Sequence, residues 1–261
     1  VKTAQIESVI IVLADSTHQK TIDAVSTITG NNCALIIADP PYGNIVSDKW
    51  DKSNGQKSHA NWMISWVQSY GDILLPGAAM YVWGGVGRPG DRPLYEFLSR
   101  VEDETSLNIA NHITWSKKRA YGVQHNYLFT REELIYLTKG DIKKPRIFNV
   151  PYLDVERGYS GFNKKYPAKS IYKRRTNVWT DVTEIMRGKL HTAQKPIRLA
   201  EILIETHTRQ NEWIIDPFSG SGTTGVAALK LGRRAVLIEN DEASWQLTVS
   251  QLNGSLMNTE S

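Results

Sequence analysis

Residues 213–239 read WIIDPFSGSGTTGVAALKLGRRAVLIE. An apolar, β-branched run ends at Asp216, and a glycine turn follows. A helix-forming stretch then opens near Thr223, and a second apolar run ends at Glu239. Two strands joined through a helix pair in parallel, with the helix packed on a sheet face. No other stretch of the 261-residue chain narrows the fold as much. The same alternation recurs upstream. Strands are expected at 6–13, 34–38, 78–83, 112–115, 133–138, 213–215 and 234–238, and helices at 18–28, 60–74, 93–101, 196–208, 223–231 and 242–252. This alternation predicts an α/β fold whose seven-stranded sheet is mostly parallel, with helices on both faces.

Composition narrows the class further. Apolar residues make up 41% and charged residues 22% of the chain, which excludes a wholly disordered or collagen-like protein. No apolar run reaches the roughly 18 residues of a membrane span, so no membrane partner is expected. The opening VKTAQIESVIIVLADS lacks the basic start and small-residue cleavage site of a secretory signal. Cys33 is the only cysteine, so no intrachain disulfide forms and a thiolate metal site is not expected. A cytoplasmic location and no metal are the expectations.

Charge is unevenly distributed. The net charge is +4, yet residues 141–190 hold 12 basic against 5 acidic side chains. Seven aromatics are interleaved with them: Phe148, Tyr152, Tyr159, Phe162, Tyr166, Tyr172 and Trp179. Cations neutralise phosphates and aromatic faces stack on bases, although a solvated basic surface has the same composition. The stretch has no period of 2 or 3.6 and is expected as an insertion or a set of long loops. The division is therefore 1–140, 141–190 and 191–261. A second irregular piece, Gly84–Arg92 (GGVGRPGDR), is a glycine- and proline-rich loop after a strand.

Chemistry is concentrated in two turns. The first, ALIIADPPYGN, runs from an apolar strand into Asp39-Pro40-Pro41-Tyr42. Ligands in open α/β sheets lie beyond the carboxyl ends of strands. The two prolines fix the backbone and remove its donors. What remains is a rigid set of carbonyls between a carboxylate and an aromatic ring. That composition suits a flat ring bearing an amino group. Asp39 would accept one N–H and the Pro40 carbonyl the other, while Tyr42 stacks. A stiff turn that merely ends a strand reads the same way.

The second turn runs from Asp216 through Phe218, Ser219, Gly220, Ser221, Gly222, Thr223 and Thr224. Glu239 lies 19 residues beyond Gly220, with Asn240 after it. The spacing G-x-G-x-x-G also passes as a dinucleotide fingerprint. A dehydrogenase places this unit first, whereas here only 36 residues follow Gly225. The ligand can still bear adenosine, because a glycine turn and an acid read ribose and backbone shape.

Together, a D-P-P-Y turn and a later D-P-F-x-G-x-G-T-T turn resemble the amino-group DNA methyltransferases. In this order, with a basic segment between them, they resemble the permuted β class. The resemblance implies a Rossmann-like sheet and S-adenosylmethionine as methyl donor. It implies DNA as substrate and a homodimer as the expected assembly. It runs from about Val9 to Leu252 and is weakest over 141–190, the region that would recognise the target. IVLADS implies that Asp15 lies near the cofactor adenine, although Asp15 would equally cap the following helix. HTAQKP (191–196) resembles the family's entry to the cofactor-side helix and implies methionine-end contacts from Lys195. Thr192 and Ala193 stand where Pro and Thr are usual. Phe218 is implied at the methionine end or the adenosine edge, Glu239 at the ribose hydroxyls, and Asp39 at the meeting of base and cofactor. ITWSK (113–117), Asn126 and Arg131-Glu132-Glu133 resemble the strands behind the base pocket. His191 is read as structural, and Trp62 and Trp66, at i and i+4, as core.

Asp39, Pro40, Pro41 and Tyr42 are thus the catalytic candidates. Lys164, Lys165, Lys173, Arg174 and Arg175 are the DNA-contact candidates. Asp before Pro-Pro-Tyr leans toward N6 of adenine within the family, and Ser there toward N4 of cytosine. An RNA substrate, a nicotinamide-dependent oxidoreductase and a non-catalytic nucleic-acid-binding module are the competing readings.

Overall fold

The structure, a computed structural model, describes residues 2–42, 56–85, 92–122, 124–125, 127–156, 170–185 and 194–257. The strands are β1 (Lys2–Ile6), β2 (Val9–Leu13), β3 (Cys33–Ala38), β4 (Leu74–Gly84), β5 (Leu107–Tyr121), β6 (Phe129–Lys139), β7 (Tyr152–Glu156), β8 (Tyr172–Arg174), β9 (Val178–Trp179), β10 (Trp213–Asp216) and β11 (Arg234–Glu239). The helices are α1 (Gln19–Thr29), α2 (Gln56–Ile73), α3 (Pro93–Leu98), α4 (Val101–Glu104), α5 (Ile197–His207), α6 (Thr223–Lys230) and α7 (Glu242–Met257).

Nine strands form the main sheet in the order β1-β2-β11-β10-β3-β4-β6-β5-β9. The five from β2 to β4 are parallel, and β6 and β5 follow antiparallel. The seven strands read from the sequence are its centre. Strands covered on both faces are apolar throughout, as the wholly buried CALIIA of β3 shows. Side chains of α5, α6 and α7 share one core layer with Leu35, Ile37, Ile214 and Leu237. Side chains of α1, α2, α3 and α4 share the other with Ile36, Ala38, Ile215 and Val236. Burial of these two layers is the main force holding the sheet between its helices.

The connection β10–α6–β11 therefore crosses one face and β3–α2–β4 the other. Strand order reverses between β10 and β3, which pair directly with Ile214 opposite Leu35 and Ile215 opposite Ile36. A crevice opens beyond the carboxyl ends at such a point.

One expectation needs correction. The expected strand 6–13 is a hairpin: β1 and β2 pair around Glu7–Ser8, with Glu7 at φ 47. No Asn or Gly marks that turn in the sequence. β2 pairs in parallel with β11, and β1 lies outside it at the sheet edge. The basic segment is not merely loops. β7 and β8 form a two-stranded ribbon and β9 adds to the sheet edge beside β5. These strands are short and mostly exposed, so no apolar alternation announced them. Among the described residues no helix is long and apolar enough to cross a membrane.

Candidate active site

The two turns stand on adjacent strands at one rim. Asp39 follows β3, and Phe218 follows β10 two residues beyond its last strand position. Asp39 belongs to a cluster drawn from four elements. Its Oδ1 accepts a hydrogen bond from Tyr42 Oη at 2.8 Å. Its Oδ2 accepts from the Lys195 ammonium. Lys195 Nζ also donates to Tyr42 Oη at 3.1 Å and lies 3.3 Å from Glu132 Oε2. Glu132 Oε1 accepts from Lys117 Nζ at 2.7 Å. Two carboxylates thus face two ammonium groups with a phenol between them. The Lys195 ammonium further lies 4.7 Å from the centre of the Trp83 ring.

Burial and charge set the protonation of this cluster. Burial alone would raise the Glu132 carboxyl, but Lys195 and Lys117 outweigh it and hold the group at about 2. Burial likewise opposes the Lys195 charge, and the Asp39 and Glu132 carboxylates reverse that, raising its pKa. Burial, followed by the charges of Asp39 and Glu132, pushes the Tyr42 phenol well above its ordinary 10.0. The hydroxyl therefore keeps its proton and donates it to Asp39.

Beside the cluster is a cleft of about 250 Å³ walled by Pro40, Pro41, Tyr42 and Trp83, with His59, Leu94 and Phe97 across it. Lys117 and Glu132 were named in sequence only as part of the strands behind the base pocket, without a role of their own, and Trp83 was not singled out. Adjacent acids on a strand point to opposite faces, so only one of Glu132 and Glu133 reaches the cleft. Glu133 turns the other way, to His112 Nε2 and Thr114 Oγ1, both at 2.9 Å.

The glycine turn is held from β11. Glu239 Oε2 accepts from Gly220 N at 2.8 Å, and Oε1 accepts from Asn240 N and Asp241 N, each at 2.9 Å. Oε2 keeps an acceptor position for a hydroxyl. Gly220 has φ 51, and no atom lies within 4 Å of the place a Cβ would occupy. Gly222 caps α6 at φ 80, where a Cβ would meet Thr248 Cγ2 at 2.6 Å. Asp216 is buried, and its Oδ1 accepts from Phe218 N at 3.0 Å. Burial pushes its carboxyl up to about 7, helped by the charges of Asp39 and Glu239 and opposed by hydrogen bonds from Thr224 and Phe218. Ser219 Oγ is buried with no hydrogen-bond partner among the described residues. Open space over a glycine, an unsatisfied hydroxyl and an acid with a spare acceptor position fit a polar nucleoside-bearing cofactor.

The remaining candidates are placed as follows. Phe218 is half-buried, its ring 5.8 Å from Trp62 and 5.1 Å from Trp66, so the α2 tryptophans support a cofactor-turn residue as well as the core. Asp15 is exposed at the end of β2, beside β11 through Ala14 N to Glu239 O. Its Oδ1 accepts from Thr17 N and Thr17 Oγ1, whereas His18 caps α1. Lys195 has its main-chain carbonyl 3.5 Å from Thr223 Oγ1 and its ammonium on Asp39, so a single residue touches both turns. Lys173 and Arg174 are exposed on β8. Arg175 is a correction. It is buried and forks onto Asp181 at 2.6 and 2.7 Å, 5.2 Å from the Trp179 ring. A guanidinium spent on that internal pair is a structural tie and is removed from the DNA-contact set. Lys164, Lys165, Asn126, residues 191–193 and residues 86–91 lie outside the described residues.

A carboxylate–diproline–tyrosine turn and a glycine-lined turn thus stand together at the switch point of an α/β sheet, the place where such sheets bind ligands. The profile of the N6/N4 DNA methylases matches residues 33–250, and the chain belongs to that family. It is an S-adenosylmethionine-dependent amino-methyltransferase of DNA, of the restriction–modification type. Over 263 residues it is 29% identical to the Type II methyltransferase M2.LlaDCHI of Lactococcus lactis subsp. cremoris, with 95% of this chain and 90% of that protein covered. Its fold is similar to that of M1.HpyAVI solved with SAM, with a TM-score of 0.64 and 22% identity over 94% of this chain and 99% of that one. It is also similar to the cytosine-N4-specific PvuII DNA methyltransferase, with a TM-score of 0.70 and 15% identity over 95% and 91% of the two chains.

Proposed function

We propose that this chain methylates N6 of adenine in DNA after the base has turned out of the stack into the Tyr42 cleft. The observation that carries the reading is Asp39. It directly precedes Pro40 and Pro41 of the cleft wall, on the strand next to that of the glycine turn, and its carboxylate already accepts N–H and O–H donors. The cofactor supplies an electrophilic methyl on a sulfonium. Glu239, Asn240, Asp15, Asp216, Phe218 and the turn from Ser219 to Thr224 hold it in this reading.

The amino lone pair of adenine is delocalised into the ring, so the protein's work is placement and charge management. Asp39 and the Pro40 carbonyl accept the two amino hydrogens, which draws the nitrogen toward tetrahedral geometry and directs its lone pair at the methyl. Tyr42, held through its hydroxyl by Asp39, stacks on the base, an interaction worth roughly 1–3 kcal/mol. This offsets part of the few kcal/mol spent in unstacking it. When bound, the cofactor would supply its methyl to the amino nitrogen, its sulfur leaving as a neutral thioether, and Asp39 or water would take the proton the nitrogen then sheds. Lys195, paired with both carboxylates, leaves Asp39 for Glu132 as the amino group arrives. Residues 1–140 and 191–261 are the catalytic and cofactor halves in this reading, and residues 2–13 serve the latter. Residues 141–190, with exposed Lys173 and Arg174, recognise the target.

Incubating unmodified DNA with labelled cofactor and then digesting it to nucleosides tests the base assignment. N6-methyladenine is the expected product. N4-methylcytosine, the alternative suggested by the likeness to the PvuII enzyme, overturns the assignment to adenine. Asp39→Ala is expected to abolish transfer while cofactor binding persists.

A further inference from the structure

Beyond the cleft, β5 and β6 continue as a two-stranded arm. β4 ends at Gly84, opposite Glu133, and β9 pairs only with Thr114 and Trp115. Past those positions the hairpin has no neighbouring strand among the described residues, yet Ser116 still pairs with Arg131 and Tyr121 with Phe129. The arm projects from the catalytic rim, since Glu132 at its root belongs to the Asp39 cluster. The root is clamped. Both oxygens of Glu184 accept main-chain N–H groups, from Lys118 at 2.9 Å and Arg119 at 2.7 Å. The side chains of Lys118 and Arg119 are exposed and form no ion pair with a described residue. At the tip, Tyr127 is 92% exposed, Leu128 59% and Phe129 49%.

Two consecutive large apolar side chains in water, Leu128 and Phe129, are costly unless something covers them. Free cations beside them favour an anionic partner. Phe129 is three residues from Glu132, about 10 Å along a strand. That is less than the ~12 Å width of a major groove, so one duplex can touch the tip and the cleft together.

We propose that the β5–β6 hairpin is a DNA-contacting arm, separate from the 141–190 segment. Lys118 and Arg119 neutralise duplex phosphates. The tip, Tyr127 to Phe129, enters the stack beside the nucleotide that turns into the Tyr42 cleft and fills the gap it leaves. The inference rests on the base-turning reading above and names the device that assists it.

A wedge matters only where there is a stack to open. The test compares methyl transfer to a duplex and to the same strand alone, for wild type and for Leu128→Ser/Phe129→Ser. Duplex kcat/KM is expected to fall about 10–100-fold, with single-strand transfer within about twofold of wild type. Equal loss on both substrates marks structural damage and overturns the wedge. Unchanged duplex transfer, or a wild type that acts on the single strand alone, also overturns it. Duplex affinity of Lys118→Glu/Arg119→Glu, measured by anisotropy across salt, gives a second readout that needs no turnover. Weaker binding with a salt slope reduced by about two is expected, and unchanged binding removes the arm from the DNA surface. A wild type that binds duplex through these residues but yields no methyladenine sinks the adenine reading and leaves the arm standing.

Discussion

In the proposed reaction the Lys195 ammonium sits on the carboxylate that the arriving amino group needs, and Glu132 lies 3.3 Å away to receive it. Glu132 can do so only while ionised, which Lys117 and Lys195 secure by holding it at about 2. Glu132→Gln removes that second partner and leaves Lys195 committed to Asp39. A hydrogen bond to a charged group is worth ~1.5–3 kcal/mol, so kcat/KM for DNA is expected to fall about 10–100-fold. Cofactor affinity, read by titration, should change little, and a loss confined to cofactor affinity would falsify this placement of Glu132. Asp39 and Tyr42 were legible because a rare turn carries them. Glu132 was not, since a strand acid next to another acid gives no sign of which one faces the cleft.

At the scale of the element, the glycine turn depends on two positions for different reasons. Gly220 keeps space open, whereas Gly222 has a conformation L-residues resist and a neighbour in the way. Gly222→Ala is expected to cost about 2 kcal/mol or more in denaturant unfolding, from left-handed strain plus the contact with Thr248 Cγ2. Thr248 Oγ1 also donates to the Gly220 carbonyl at 2.8 Å. Thr248→Ser keeps that bond and removes the methyl, so the double variant should regain part of the loss. An identical loss in both backgrounds would assign the whole effect to φ. Helix and strand positions inside the α/β core were readable because period and length agree there. The ribbon β7–β8 was not, because a short strand exposed on both faces has no alternation to show.

For the whole molecule, Asp216 links the cofactor turn to stability. Its carboxyl ionises at about 7 in the fold against an ordinary 3.8, so the native state holds a proton that the unfolded chain has lost. Its contribution is therefore full below about 4, falls as pH rises toward 7, and is level above that. Melting temperature followed across pH 4–8 should show this decline, and Asp216→Asn should flatten it. A decline of equal size in the variant would place its origin elsewhere.

The order of amino acids by itself determined the repeated strand–helix alternation, the two turns and their order along the chain. These depend on local propensity and on residues within a few positions of one another. Only the tertiary structure decided that β3 and β10 are neighbours and that Lys195 reaches across 156 positions to Asp39. It also decided that Arg175 turns inward and that β5 and β6 stay paired beyond the ends of β4 and β9. Each of these follows from which strands pair and which charges are left to neutralise one another once two apolar layers have closed. No local window of sequence contains that information.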